Sequence, residues 1–300
     1  TVLAVTAVAL VARFVSLGTR VAHWDEGRVG YWVLRYAETG AYTYHPIVHG
    51  PFLFHVNRVI FETFGASDLT MRAVVAVIGG LLPLTAWLLR ERLSGAETAA
   101  LAVALAANPL LLYYSRFMRN DVLVAAFALA AFAFFVRAYD TGLRRHLYAG
   151  ALAFGLAFTT KENALVYAAC WIGALGLLLD WVLVRARVRD RSAVTVLAER
   201  GVAVGRGLRA WTLDLGGAVV VFFVVFVSFY APRPEFGHAL TNPTLLPDVL
   251  ARATVGSVGK FVETWVGGHP HSYVHFFVHD LGTLAGGALV LSGLAVVGFL

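Results

Sequence analysis

The sequence is short of charge. Only 14% of its 300 residues are Asp, Glu, Lys or Arg, against about a quarter in an ordinary soluble domain. Lysine is nearly absent: Lys161 and Lys260 are the only two, and the remaining positive charge is arginine. Cys170 is the only cysteine, so no internal disulfide framework can form, and its place inside an apolar run reads as a packed apolar thiol. There is no Walker-type glycine-rich loop, no Gly-x-Ser-x-Gly elbow and no Cys-x-x-Cys, which argues against ATP-driven transport by this chain. No repeat period and no low-complexity linker interrupts it. What the chain has in quantity is apolar surface: 59% of residues are hydrophobic and the mean hydropathy is +0.73. The net charge of +6 belongs to loop arginines that set topology, not to a nucleic-acid surface.

Apolar runs recur at lengths that can cross a hydrocarbon core of about 30 Å. They predict an all-α, polytopic transmembrane helix bundle of roughly eight spans, at residues 1–17, 69–89, 96–114, 122–136, 147–160, 164–184, 213–230 and 281–300. The whole of 1–300 reads as a single transmembrane domain. The last run still continues at Leu300, so a truncated C-terminus is expected. The loops with Arg90 and Arg92, with Arg137, Arg144 and Arg145, and the loop 185–211 are rich in arginine and poor in acids. The positive-inside rule puts them in the cytoplasm and puts loops 18–68 and 231–280 on the extracytoplasmic side of the cell membrane. Four polar clusters not used in that assignment then all fall outside: His23–Glu26, Ser115–Asp121, Thr160–Asn163 and His269–Asp280. That sorting suggests one composite site at the outer face.

Each cluster has a bland and a chemical reading. Asp25 and Glu26 can deprotonate a hydroxyl or hold a divalent metal, and Asp25 can equally cap a helix running to about Glu38. The segments around Tyr31–Tyr36 and Phe52–Phe64 look like amphipathic helices lying in the interface. The turn between them, with Tyr44, His45 and His49, suits sugar faces and the headgroup belt alike. Arg116 and Arg119 can clamp a phosphate, with Asp121 orienting them or moving a proton. Lys161 either contacts phosphate or is neutralised by Glu162. His271 and His275 stand at helical spacing with His279, which permits zinc, although an interfacial aromatic helix is the simpler account.

In order along the chain, Trp24-Asp25-Glu26, Arg35-Tyr36-Ala37-Glu38-Thr39-Gly40, His49-Gly50-Pro51, Phe64-Gly65-Ala66-Ser67, Arg72, Asn108-Pro109, Tyr114-Ser115-Arg116, Asp121 and Thr159-Thr160-Lys161 resemble the dolichyl-phosphate-mannose protein mannosyltransferase-like glycosyltransferases. These GT-C fold enzymes include the lipid A aminoarabinose transferases. The His-Gly-Pro and Thr-Lys-Glu-Asn variants resemble, more narrowly, an archaeal branch associated with flippase activity in protein N-glycosylation. The resemblance covers about Thr1 to Cys170. It implies a polyprenyl (dolichyl) phosphate-linked sugar as donor and a glycan or protein acceptor. It also implies Asp25 as base or metal ligand with Glu26 and Asp121 beside it, and basic residues on the lipid phosphate. His49 stands where the aminoarabinose transferases carry a lysine.

The leading expectation is therefore a GT-C type membrane glycosyltransferase with Asp25, Glu26 and Asp121 as catalytic residues. Arg116, Arg119, Lys161, His49, Tyr44 and Glu162 are the expected substrate-binding set. The rival is a non-enzymatic protein that handles or helps translocate a lipid-linked glycan. A secondary transporter calls for ionisable residues at mid-span, and Arg13 is nearly alone there.

Overall fold

The structure, a computed structural model, describes residues 1–46, 50–265, 273–287, 293 and 297. It is all-helical, as expected, and the described residues fall into two units, Thr1–Ser257 and Val258–Leu300. Among them, four helical stretches are long and apolar enough to cross a membrane: Asp68–Leu88, Asp121–Thr141, Ala164–Val188 and Thr212–Tyr230. Val2–Phe14 and Gly95–Ala107 are shorter apolar helices.

The first unit begins with α1 (Val2–Phe14), α2 (Trp24–Thr39), α3 (Phe52–Phe64) and α4 (Asp68–Leu81), the last continuing through a 3-10 turn into α5 (Thr85–Leu88). The two interfacial helices expected in the first loop are α2 and α3. Each buries one stripe at helical spacing, Val29, Val33 and Tyr36 on α2 and Phe54, Asn57 and Phe61 on α3. The expected span 96–114 is broken instead into α6 (Gly95–Ala107) and α7 (Pro109–Tyr114). Pro109 cannot donate the hydrogen bond a continuous helix needs there, and Asn108 caps the new start by accepting from the N–H groups of Leu110 and Leu111.

Behind α7 come α8 (Asp121–Thr141), α9 (Arg144–Thr160), α10 (Ala164–Val188), α11 (Ala193–Ala210) and α12 (Thr212–Tyr230). Arg144 and Arg145, expected in a loop, form the first turn of α9, and most of the arginine-rich loop 185–211 is helical. Helices α8 and α9 pack closely because alanine and glycine fill their shared face, including Ala128, Ala131, Ala153 and Ala157. The turn joining them closes at Gly142, whose φ of +66° favours glycine. By contrast α10 buries almost none of its apolar surface in the described structure, an arrangement that suits lipid and not water. Cys170 lies on it and is exposed, not packed as expected, because that helix has so little inward face.

Short helices α13 (Glu235–Thr241) and α14 (Leu246–Ala251) and a π-helical turn, Arg252–Gly256, end the first unit. The segment after α12 pairs with the first loop, the backbones of Tyr42 and Arg233 exchanging hydrogen bonds of 3.0 and 2.8 Å. α15 (Ser257–Trp265) runs on into the second unit, whose further described helix is α16 (Tyr273–Gly287). Most of the expected span 281–300 lies outside the described residues.

One close approach ties the first loop to the end of α9. The N–H of Gly50 donates to the Thr160 carbonyl at 3.0 Å, and a Cβ at position 50 would come within 2.3 Å of the Thr159 carbonyl oxygen. That neighbour is backbone and cannot yield cheaply. Gly50→Ala is expected to lower stability by about 1–3 kcal/mol, read as a shift in the thermal unfolding midpoint in detergent. An unchanged midpoint would show that the loop and α9 are not held together here.

Candidate functional site

The site begins with how α2 starts. His23, not Asp25, is its N-cap: His23 Nδ1 accepts the N–H of Asp25 at 3.2 Å, and Glu26 reaches back to the N–H of His23 at 2.9 Å. Asp25 is thereby released from the capping role allowed for it above. Successive helical side chains diverge by about 100°, so the adjacent acids are sent to different environments.

Glu26 turns inward and is fully buried. Its carboxylate takes a two-pronged hydrogen bond from Arg72 on α4, Nε to Oε1 at 2.8 Å and Nη2 to Oε2 at 3.0 Å. Arg20 Nη2 adds a contact at 3.1 Å and the Met118 N–H another at 2.9 Å. Arg72 is equally buried and spends its other hydrogens on the carbonyls of Leu17 and Arg20. Burial alone would raise the Glu26 carboxyl, but the Arg72 fork and the two backbone N–H groups outweigh it and hold it below its ordinary range. A carboxylate this enclosed has no room to meet a substrate. The sequence reading made Glu26 a catalytic residue; the structure gives it a framing role, clamping the loop before α2, α4 and the α7–α8 connection together.

Asp25 stays partly accessible to solvent. Its Oδ2 lies 3.0 Å from Arg119 Nη1. Arg119 Nε then donates to Asp121 Oδ2 at 3.0 Å, and Lys161 Nζ donates to Asp121 Oδ1 at 2.7 Å. Three of the four polar clusters thus meet in one chain of alternating charge, Asp25–Arg119–Asp121–Lys161, drawn from α2, the α7–α8 connection and the end of α9. Its members remain partly open, Asp25 with 28% and Lys161 with 17% of the side chain accessible. Beside Lys161, Glu162 accepts a hydrogen bond of 2.5 Å from the Tyr44 hydroxyl. Burial, with the Glu162 charge next to it, holds that hydroxyl well above the usual tyrosine range, so Tyr44 remains a donor.

Other expected members go elsewhere. Arg116 gives Nη2 to the carbonyls of Val15 and Ser16 at 2.7 and 3.2 Å and braces the end of α1. His49 and His271 lie outside the described residues, and His275 stands on α16 in the second unit. Among the described residues no group of three or more His, Cys, Asp or Glu is arranged to hold a metal ion. Between Asp25 and Asp121 the guanidinium of Arg119 supplies the positive charge.

Sequence reasoning gave no role to Arg72, although the residue stood in the family-like series. Nor did it find the polar centre on α3. There His55 Nε2 donates to the Phe229 carbonyl at 2.8 Å, which leaves Nδ1 to accept from Tyr36 at 3.3 Å. Burial, then the nearby Arg233 charge, pushes its pKa down to about 4. A lone histidine in a helix full of apolar residues gives no sign of which carbonyl it will reach.

The described chain shares its fold with ArnT from Cupriavidus metallidurans, so it is an all-helical membrane bundle of the GT-C type. ArnT bound to undecaprenyl phosphate superposes with a TM-score of 0.55 at 24% identity, over 84% of this chain and 44% of that one. For ArnT in the apo state the values are 0.55, 25%, 81% and 42%. The chain therefore spans less than half the length of the ArnT chains it matches. Residues 45–199, more than half of it, match the dolichyl-phosphate-mannose-protein mannosyltransferase family, and the chain belongs to that family. No curated protein sequence matches it.

Removing one partner of the buried pair leaves an uncompensated charge. Glu26→Gln and Arg72→Met are each expected to cost about 3–5 kcal/mol, measured by chemical or thermal unfolding in detergent. Because the folded Glu26 carboxyl lies below its unfolded value, this stabilisation is complete above the unfolded value of about 4.3 and is lost as pH falls through the folded one. Acid unfolding of the wild type should accordingly be steep in that window and flattened in Glu26→Gln.

Proposed function

We propose that this protein transfers a sugar from a polyprenyl-phosphate-linked donor to an acceptor hydroxyl or amide. The observation that carries the reading is the open acid–base–acid–base chain from Asp25 to Lys161, which offers a carboxylate for the acceptor and two cations for a phosphate within one contact network. Family membership and the fold shared with ArnT support it, one of the ArnT structures being bound to undecaprenyl phosphate.

In this mechanism the acceptor atom, a hydroxyl oxygen or an amide nitrogen, attacks the anomeric carbon while its proton passes to the Asp25 carboxylate. The bond from that carbon to the phosphate oxygen breaks, and its electron pair leaves with the lipid phosphate. Arg119 and Lys161 meet the charge that develops there, sharing themselves between the phosphate and Asp121. Asp121 orients both cations. Tyr44 and Glu162 position the turn that carries Lys161; His49 follows Tyr44 by five residues and Arg116 precedes Arg119 by three. The prenyl tail lies along the bundle in lipid.

The sidedness follows the arginine-rich loops: the site opens at the extracytoplasmic face of the cell membrane. The acceptor is a glycan or protein in surface glycan assembly or protein N-glycosylation. The His-Gly-Pro and Thr-Lys-Glu-Asn variants point to the archaeal branch associated with flippase activity.

Transfer of radiolabelled sugar from dolichyl phosphate donors by the whole purified protein tests this reading. Asp25→Asn should lower transfer by about two to four orders of magnitude with polyprenyl phosphate still bound. Lys161→Met should weaken lipid phosphate binding about tenfold. Bound lipid without transfer from any donor would instead favour a non-enzymatic role in handling lipid-linked glycans.

A further inference from the structure

Helix α2 carries more than Asp25 on its outward face. Arg28, Trp32, Arg35 and Thr39 follow Asp25 at i+3, i+7, i+10 and i+14, the spacing of one continuous helical stripe. The stripe ends in a pocket of about 270 Å³ whose lining includes Trp32, Arg35, Thr39, Tyr42, Thr43 and His45. Trp32 and His45 stack there with their planes 14° apart. Among the described residues neither Arg28 nor Arg35 pairs with a carboxylate. The hydroxyl of Tyr42 is buried and, among the described residues, has no hydrogen-bond partner.

These groups have a common chemistry. A flat aromatic surface takes the C–H face of a pyranose, a threonine hydroxyl takes its hydroxyls, and an unpaired guanidinium takes a carboxylate. By helix rise, Trp32 and Arg35 lie about 10 and 15 Å from Asp25 along the axis. That is too far for the sugar or hydroxyl that reacts, yet it lies on the same face.

We propose that this pocket is an acceptor subsite for an anionic sugar. It would hold a carboxylate-bearing unit set back along a glycan chain whose reacting end lies at Asp25, with Arg28 bridging the interval. The identification of the occupant as an acceptor rests on the glycosyltransferase reading above; the binding of an anionic sugar does not. The pocket is also tied to the charged chain. In the extended segment 41–45, Ala41, Thr43 and His45 line the pocket, while Tyr44 reaches Glu162 beside Lys161.

The test reads binding without turnover. The whole protein in phosphatidylcholine nanodiscs is titrated by calorimetry with a glucuronate-containing trisaccharide and with its carboxyl-reduced neutral counterpart. The anionic trisaccharide should bind about tenfold tighter or more, and Arg35→Gln should erase the difference. Trp32→Ala should weaken both, and polyprenyl phosphate binding should be unchanged in both variants. Both residues are exposed, so folding is not at stake. Equal affinity for the two sugars, no binding of either, or displacement of the anionic sugar by phosphatidylglycerol in the nanodisc would overturn the proposal, the last by making the pocket a lipid headgroup site. If the sugar binds as expected but the transfer assay fails, the anionic-sugar site stands and its role as acceptor subsite falls.

Discussion

The arrangement depends on one buried ion pair. Glu26 and Arg72 meet out of contact with solvent, and between them they fix the loop after α1, the first turn of α2, α4 and the start of the α7–α8 connection. Charges removed from water are costly, and this pair is tolerable because nearly every lone pair and hydrogen around it is used. The return is positional. With Glu26 locked inward, the helix pitch places Asp25 outward, and with the Met118 N–H held by the same carboxylate, Arg119 falls next to Asp25. The open charged chain inherits its geometry from a centre that is itself closed to solvent.

That division of labour explains why two adjacent acids have such different characters. Asp25 is half-exposed and paired with a cation that is itself shared; Glu26 is saturated. An exchange of one for the other would leave composition and charge unchanged and would destroy both roles. The same logic distinguishes the arginines of the Ser115–Asp121 cluster: Arg116 closes the end of α1 through backbone carbonyls, whereas Arg119 bridges two carboxylates.

Much of this was legible in the sequence. The aromatic and apolar spacing gave the two interfacial helices to within a few residues, and sorting loops by arginine brought Asp25, Asp121 and Lys161 to one side before any contact was known. Pro109 should have been read as a break, since a proline inside a long apolar run interrupts the hydrogen-bond ladder. The burial of Glu26 was not legible, because burial is a property of partners and its partner lies 46 residues away in sequence. Asp25 was given a cap that belonged to His23, a residue seldom found in that position. The direction of Arg116 depends on where α1 ends, which local pattern does not encode.

The extended segment between α2 and α3 touches two places at once. Ala41, Tyr42, Thr43 and His45 border the aromatic pocket, while Tyr44 runs inward to Glu162 and the Tyr42 backbone pairs with the segment following α12. A strand cannot rotate one face without rotating the other. Pocket and turn are therefore joined by one segment, so a displacement of Thr43 or His45 is carried through Tyr44 to the Glu162 that stands beside Lys161.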